Sequence, residues 1–441
     1  MGDYYIVPIL IAIAVYIYCS VGLKKLQNPK PPKAPVPNYH PLPITPPMKY
    51  YAPGADIFPE PPEMESEPSE TISGEELEEF LLNEFKIDVE VIETTQSPSL
   101  DIHHLRLNKM TDLGTKMNRA LEGMKARYNL PFSQMSSRIG DIAIAAPRED
   151  KQFVYLRDVM DTPEFEELAD NPDAIPAVIG IDENNNPVCI DLTKAPHFLV
   201  AGVTGSGKSV CANSMLLSAL ASRTPDQLEV VLIDVKQVEM APYNGLPHLK
   251  TMTFAPFGSV GMEGAYRVKQ VFTEPGDAET ALQSIINTMQ YRYAEAKRLG
   301  VRKLGKEYPH ILVIIDEMAD LMLSPAFGKS IENKIVRIAQ LARAAKIHLV
   351  CCTQLPNVKV LTGLIRANMP CRMVFHCSTA TDSRVSLGRS GAENFLGNGD
   401  GVISQPDKGE IRIQAAYSDE YDVAALVEYY LESGEPYTNG I

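Results

Sequence analysis

The stretch Gly202-Val203-Thr204-Gly205-Ser206-Gly207-Lys208-Ser209 follows the apolar run His197-Phe198-Leu199-Val200-Ala201 and precedes a helical pattern over 210–221. A strand, a glycine loop and a helix in that order make a phosphate cradle. The glycines let consecutive backbone N–H groups converge on phosphate oxygens, and the helix N-terminus adds partial positive charge. In this pattern Lys208 reaches the β- and γ-phosphates and Ser209 ligates Mg²⁺. The expected ligand is a nucleoside triphosphate, ATP with Mg²⁺.

Outward from the loop, apolar strands recur at 178–181, 198–200, 230–233, 311–315, 347–353 and 372–376, with helical patterns between most of them. That alternation predicts an α/β fold with a parallel sheet wrapped by helices. The strand over 311–315 ends in Asp316-Glu317. An Asp at such a strand end holds Mg²⁺ directly or through water, and the adjacent Glu317 is placed to orient and deprotonate an attacking water. The second carboxylate favours hydrolysis over nucleotide binding alone. The strand over 347–353 ends in Thr353-Gln354, where an amide can sense the γ-phosphate from a neighbouring strand. The helical stretch 335–345 carries Arg337 and Arg343. Either suits a solvated face or a role across a subunit boundary, where an arginine stabilises the transferring phosphoryl group.

The 441 residues exceed one compact core. Residues 4–23 carry no charge and ten Ile, Leu or Val. Twenty helical residues span the roughly 30 Å hydrocarbon core. Lys24, Lys25, Lys30 and Lys33 follow, predicting a single-pass anchor with the rest of the chain on the cytoplasmic side of the cell membrane. Thirteen prolines between 28 and 62 make a semi-rigid tether or a ligand for a protein partner. The net charge of −15 is concentrated in residues 60–93, where thirteen acids face Lys86 alone, and the remainder is near −3. Overall charge therefore neither supports nor excludes nucleic acid. Seven scattered cysteines form no CxxC pair and read as reduced core residues.

The pattern upstream of the motor, helical at 75–85 and 110–128 and strand-like at 87–92, 102–107, 139–145 and 153–156, predicts a small accessory α/β domain. The expected organisation is a transmembrane helix at 4–23, a linker at 24–74, the accessory domain at 75–171, the ATPase motor at 172–433 and a tail at 434–441.

Several further segments occur in series: Ile233-Asp234-Val235-Lys236, Tyr243-Asn244-Gly245-Leu246-Pro247-His248-Leu249, Asp316-Glu317-Met318-Ala319-Asp320-Leu321-Met322, the run AQLARAAKIH over 339–348, LTGLIRANMP over 361–370, Asp382-Ser383-Arg384 and Gly391-Ala392-Glu393. With the glycine loop they resemble the FtsK/SpoIIIE DNA translocases over roughly 142–417. The resemblance implies a RecA-like P-loop motor, a homohexameric ring around double-stranded DNA, and ATP-driven pumping. By position it also implies that Arg343 is the trans-acting arginine and Gln354 the γ-phosphate sensor, which with Lys208 and Glu317 make up the expected catalytic set.

Departures from the family pattern fall on the DNA-facing positions. Leu355 stands where an Arg is usual, and Ala380 where a Lys is usual. Lys359, Arg366 and Arg384 are the remaining candidates for phosphate contact, and Lys359 is placed to supply the charge that Leu355 lacks. Arg292, Lys297, Arg298, Arg302, Lys303 and Lys306 form a further basic stretch, read as a solvated helix face or subunit contact ahead of a DNA guide. A chain with one span and no winged-helix reader after the motor fits DNA transfer by a mobile element or phage, similar to conjugative coupling proteins, better than sequence-directed chromosome pumping. A type VII-like protein-secretion motor is disfavoured by the single motor domain. An anchored ATPase scaffold is the alternative that Leu355 and Ala380 favour.

Overall fold

The computed structural model describes residues 48–62, 71–109, 113–130, 132–135, 139–148, 151–254, 266–268 and 270–436. The predicted span at 4–23, most of the proline-dense tether and acidic residues 63–70 lie outside them. Among the described residues no helix is long and apolar enough to cross a membrane. Residues 49–435 form one compact unit.

Within it, helix α1 (Gly74–Phe85) begins on a reciprocal cap. Ser73 Oγ accepts from the Glu76 N–H at 3.2 Å, and the Glu76 carboxylate accepts from the Ser73 N–H at 3.1 Å, satisfying two donors that a helix start otherwise leaves open. Strands β1 (Val89–Gln96), β2 (Leu100–Leu107), β3 (Ser133–Met135) and β4 (Ile142–Pro147) pair antiparallel in the order β1-β2-β4-β3. Helix α1 and helix α2 (Leu113–Tyr128) pack on this sheet through Leu77, Leu81, Met117 and Met124 against Leu105 and Ile144.

The larger sheet has nine strands: β5 (Pro176–Asp182), β6 (Pro187–Asp191), β7 (His197–Ala201), β8 (Leu228–Ile233), β9 (His310–Ile315), β10 (Ile347–Thr353), β11 (Cys371–Phe375), β12 (Asp400–Gln405) and β13 (Gly409–Ala415). Their order is β6-β5-β13-β12-β11-β7-β10-β9-β8. Strands β11, β7, β10, β9 and β8 run parallel, and the other four add antiparallel. The sheet is therefore parallel only across five of the six strands read from sequence. The antiparallel half takes in the strand expected at 178–181 and three strands of mixed composition.

The parallel strands are apolar on both faces because helices cover both. Leu312 and Ile314 of β9 face a core shared with Met215, Leu216 and Leu220 of helix α3 (Lys208–Ser222). Their neighbours Ile311, Val313 and Ile315 face Ile285 of helix α4 (Pro275–Leu299) and Ile335 and Ile338 of helix α5 (Gly328–Leu341). Helix α6 (Glu420–Glu432) adds Leu426 and Tyr430 to the first core.

Packing moves two of the boundaries expected from sequence. Phe58, read as tether, is 1% exposed in the α3 core. Its carbonyl accepts from the Arg157 guanidinium at 2.8 Å, and the Gly54 N–H donates to Ala221 O at 2.9 Å. Residues 153–156, expected as a strand, instead lead into a short helix, Leu156–Met160, which with Phe165 belongs to the same core. Proline density masked the first case, because Phe58 is an isolated aromatic with no periodic neighbours. Truncating it, Phe58→Ala, is expected to cost about 3 kcal/mol, read as a lowered denaturant midpoint; a midpoint left in place would return this segment to the tether.

Candidate functional site

Register in the parallel core brings three strand ends side by side. Ala201 at the end of β7 lies opposite Thr353 at the end of β10, and Ile315 of β9 lies opposite Cys351. The glycine loop leaves β7 here and enters α3. Gly205 and Gly207 hold φ of +76° and +104°, and a Cβ on Gly207 would stand 2.6 Å from the Gly399 nitrogen. Only glycine fits such a close approach at positive φ. The loop is pinned from three directions. The Gly202 N–H donates to Thr353 O at 3.2 Å, the Val203 N–H to His376 O at 3.0 Å, and the Asn398 and Gly399 N–H groups to Gly205 O and Ser206 O at 3.2 and 2.9 Å. Ser206 Oγ is buried without a hydrogen-bond partner among the described residues. The first N–H groups of α3 have no acceptor inside the helix. A pinned loop that leads into unpaired donors at a helix start is an anion site.

Lys208, 3% exposed, donates to the Asp316 carbonyl at 2.9 Å and to its carboxylate at 3.0 Å. Burial opposes the ammonium charge, but Cys352, Asp316 and Glu317 together outweigh it and hold the Lys208 pKa above its ordinary value. Glu317, also 3% exposed, caps the helix Met318–Met322 through the Ala319 N–H at 3.1 Å. Its carboxylate also accepts from Thr353 Oγ1 at 2.9 Å and from the Gln354 N–H at 3.0 Å, and Lys236 Nζ lies 3.6 Å away. Gln354 in turn accepts from Thr204 Oγ1 of the loop at 2.8 Å. Lys208, Asp316, Glu317 and Gln354 are thus one connected group around the loop. Charges of both signs above a bed of N–H donors suit a phosphate chain bound with a divalent cation.

Lys236 and Thr353 join this group without having been singled out. Asp234 explains Lys236: its buried carboxylate accepts four backbone N–H groups, from Lys236, Gln237, Glu239 and Met240, at 3.0 Å each. That folds the chain after β8 back toward Glu317. A polar pair directly after an apolar strand was the available signal.

Arg343 is not part of the group. It lies exposed in the turn Ala342–Ala345, before β10 begins, whereas Gln354 follows the end of that strand. Seven strand residues span about 20 Å. Strand β10 pairs parallel with β7, Leu349 opposite His197, so the turn that carries Arg343 sits at the His197 end of the sheet, away from the loop; burial first, and then the Arg343 charge, lower the His197 pKa to about 4.

Lys359 and Arg384 are exposed and Arg366 is half-buried, all in the segments after β10 and β11. Leu355, Val358 and Leu364 beside them are also exposed, at 43%, 62% and 58%. Arg292 leaves the basic stretch altogether. It is 4% exposed and donates to the carbonyls of Ala345 at 2.8 Å and Pro309 at 2.9 Å, tying α4 to the strand starts.

The family model described as "FtsK/SpoIIIE family" matches residues 155–308 and 301–358, covering the glycine loop, both carboxylates and Gln354. The DNA translocase FtsK of Corynebacterium efficiens is 35% identical in a 390-residue alignment that covers 82% of this chain and 38% of the relative. The chain belongs to the FtsK/SpoIIIE family. The DNA translocase SftA of Bacillus subtilis is 35% identical over 80% of this chain and 36% of its own. The family member from Mycobacterium tuberculosis strain H37Rv, DNA translocase FtsK, is 35% identical over 82% and 44%. The chain thus spans about two fifths of the length of these curated relatives. Among solved structures, the conjugation coupling protein TcpA of pCW3, in its monomer form with ATPγS, superposes with a TM-score of 0.52 at 20% identity. The match covers 80% of this chain and 98% of that one. That likeness gives the α/β P-loop ATPase fold.

Proposed function

We propose that this chain is an ATP-driven translocase of double-stranded DNA, working as a ring of identical copies tethered to the membrane through residues 4–23. The observation that carries the reading is the connected group of Lys208, Asp316, Glu317 and Gln354 around a loop pinned on three sides. The 35% identity to proteins named DNA translocases supports the substrate.

In this reading the loop N–H groups and Lys208 bind the triphosphate, and Ser209 and Asp316 hold Mg²⁺. The ion would supply charge neutralisation on the phosphates. Glu317 takes the proton of the attacking water, its carboxylate aimed by the hydrogen bonds from Thr353, Gln354 and Ala319. Gln354, bonded both to Glu317 through its N–H and to Thr204 through its side chain, links the state of the loop to β10. The chain beyond β10 is where Lys359 and Arg366 stand, so hydrolysis and DNA contact share one strand.

The test is ATP hydrolysis by the full chain, with and without linear duplex DNA, at two salt concentrations. Stimulation that weakens at the higher salt is expected, because phosphate contacts release counterions. Lys359→Ala is expected to reduce the stimulation and its salt dependence while leaving DNA-free hydrolysis in place. Hydrolysis indifferent to DNA would sink the substrate assignment and favour a protein partner docking on exposed Leu355, Val358 and Leu364.

A further inference from the structure

A cleft of about 380 Å³ opens on the flank of the glycine loop away from Asp316 and Glu317, neither of which lines it. Gly205, Gly207, Val210, Gln414, Tyr417 and Phe153 are among the residues that line it. Phe153 is 58% exposed, yet its ring is held in place. The Phe153 and Tyr417 centroids are 4.6 Å apart at an interplanar angle of 43°, and Tyr155 meets Tyr417 edge-on at 6.0 Å and 86°. The strap carrying Phe153 is fixed on both sides. The Gln152 N–H donates to Pro98 O at 2.9 Å, the Tyr417 N–H to Val154 O at 2.6 Å and the Leu156 N–H to Tyr417 O at 2.9 Å. An aromatic ring positioned this firmly but left open to solvent contributes little to the core, and its open face suits a flat ligand.

Direction identifies that ligand. Lys208 and Glu317 mark the end of the loop where the terminal phosphate lies. A triphosphate running along the loop from there has its other end at Val210, beside the cleft. The geometry points to this cleft as the nucleobase site, with Phe153 and Tyr417 as the aromatic platform on which the base stacks; the assignment rests on the nucleotide reading above. The volume is in the range of small-molecule sites, and the walls are mostly apolar. The site also touches the accessory sheet. Ser99 Oγ donates to Gln414 Oε1 at 2.8 Å, and Gln414 Nε2 donates to Asn398 O at 2.8 Å, so the lining is shared between the β1–β2 turn and the loop that covers Gly205.

The experiment compares binding of ATP with Mg²⁺ and of inorganic tripolyphosphate, which has no base, to the full chain by calorimetry. The unaltered chain is expected to bind ATP more tightly than tripolyphosphate. Phe153→Ala should weaken ATP about tenfold, the size of one lost base–aromatic stack, and leave tripolyphosphate unchanged; Phe153→Trp should keep ATP affinity. Because Phe153 is exposed, truncation leaves the core intact. Unchanged ATP affinity in Phe153→Ala, or a parallel loss of both ligands, would overturn the base site while the phosphate reading stands. An unaltered chain that binds neither ligand would overturn the nucleotide reading and the base site with it.

Discussion

Glu317→Gln is expected to bind ATP as the unaltered chain does and to hydrolyse it 10²–10⁴ times more slowly, the usual worth of a positioned general base. Glutamine keeps the shape of the side chain and one oxygen, so the Ala319 N–H at 3.1 Å and Thr353 Oγ1 at 2.9 Å retain their acceptor. It replaces the second oxygen by an NH₂ that cannot accept from the Gln354 N–H at 3.0 Å and cannot take a proton from water. Folding and the cap of Met318–Met322 survive while the base is lost. Lys208→Ala separates the roles from the other side: it removes the ammonium that meets Asp316 at 3.0 Å and should weaken nucleotide binding itself. Turnover by Glu317→Gln at the unaltered rate would remove Glu317 from the chemistry and leave it as a helix cap.

How much of this was legible in the sequence depends on what each residue's neighbours had to be. The loop, Asp316-Glu317 and Gln354 each follow a run of apolar residues, and parallel pairing of those runs forces their ends together, so order alone predicts a cluster. The antiparallel half was harder to read. In β13, Ile411, Ile413 and Ala415 alternate with Arg412 and Gln414, which reads as an edge with one solvent face. In the fold those polar residues are taken up. Arg412 forks onto Asp400 at 2.7 and 2.8 Å and reaches Ser133 at 3.1 Å, and Gln414 meets Ser99. The face that looks wet is where the accessory sheet docks, and no local pattern encodes that. Arg292 misleads for the same reason. It belongs to a run of basic residues, yet it alone turns inward to satisfy the carbonyls of Ala345 and Pro309, a need set by chain segments far from it.

The position of Arg343 carries the other large expectation. Strands β7 and β10 run parallel with His197 opposite Leu349 and Ala201 opposite Thr353. Arg343 precedes β10 and Lys208 follows β7, so one chain holds the two at opposite ends of its sheet, about 20 Å of strand apart. If Arg343 serves hydrolysis, it serves the site of a neighbouring copy. Head-to-tail contact of that kind closes into rings. Arg343→Ala alone is then expected to lower DNA-stimulated hydrolysis by 10³-fold or more, the scale of an arginine supplied in trans, with nucleotide binding intact. The decisive measurement mixes it with Lys208→Ala, which is expected to be inactive for a different reason. In co-assembled rings about one interface in four pairs the sound loop of one variant with the sound arginine of the other, so activity should return although neither parent has any. Recovery requires that a site be built from two chains, which no arrangement within one chain reproduces. Arg343→Ala that hydrolyses ATP at the unaltered rate would place Arg343 outside the reaction, and mixed assemblies as inactive as their parents would exclude a site built from two chains.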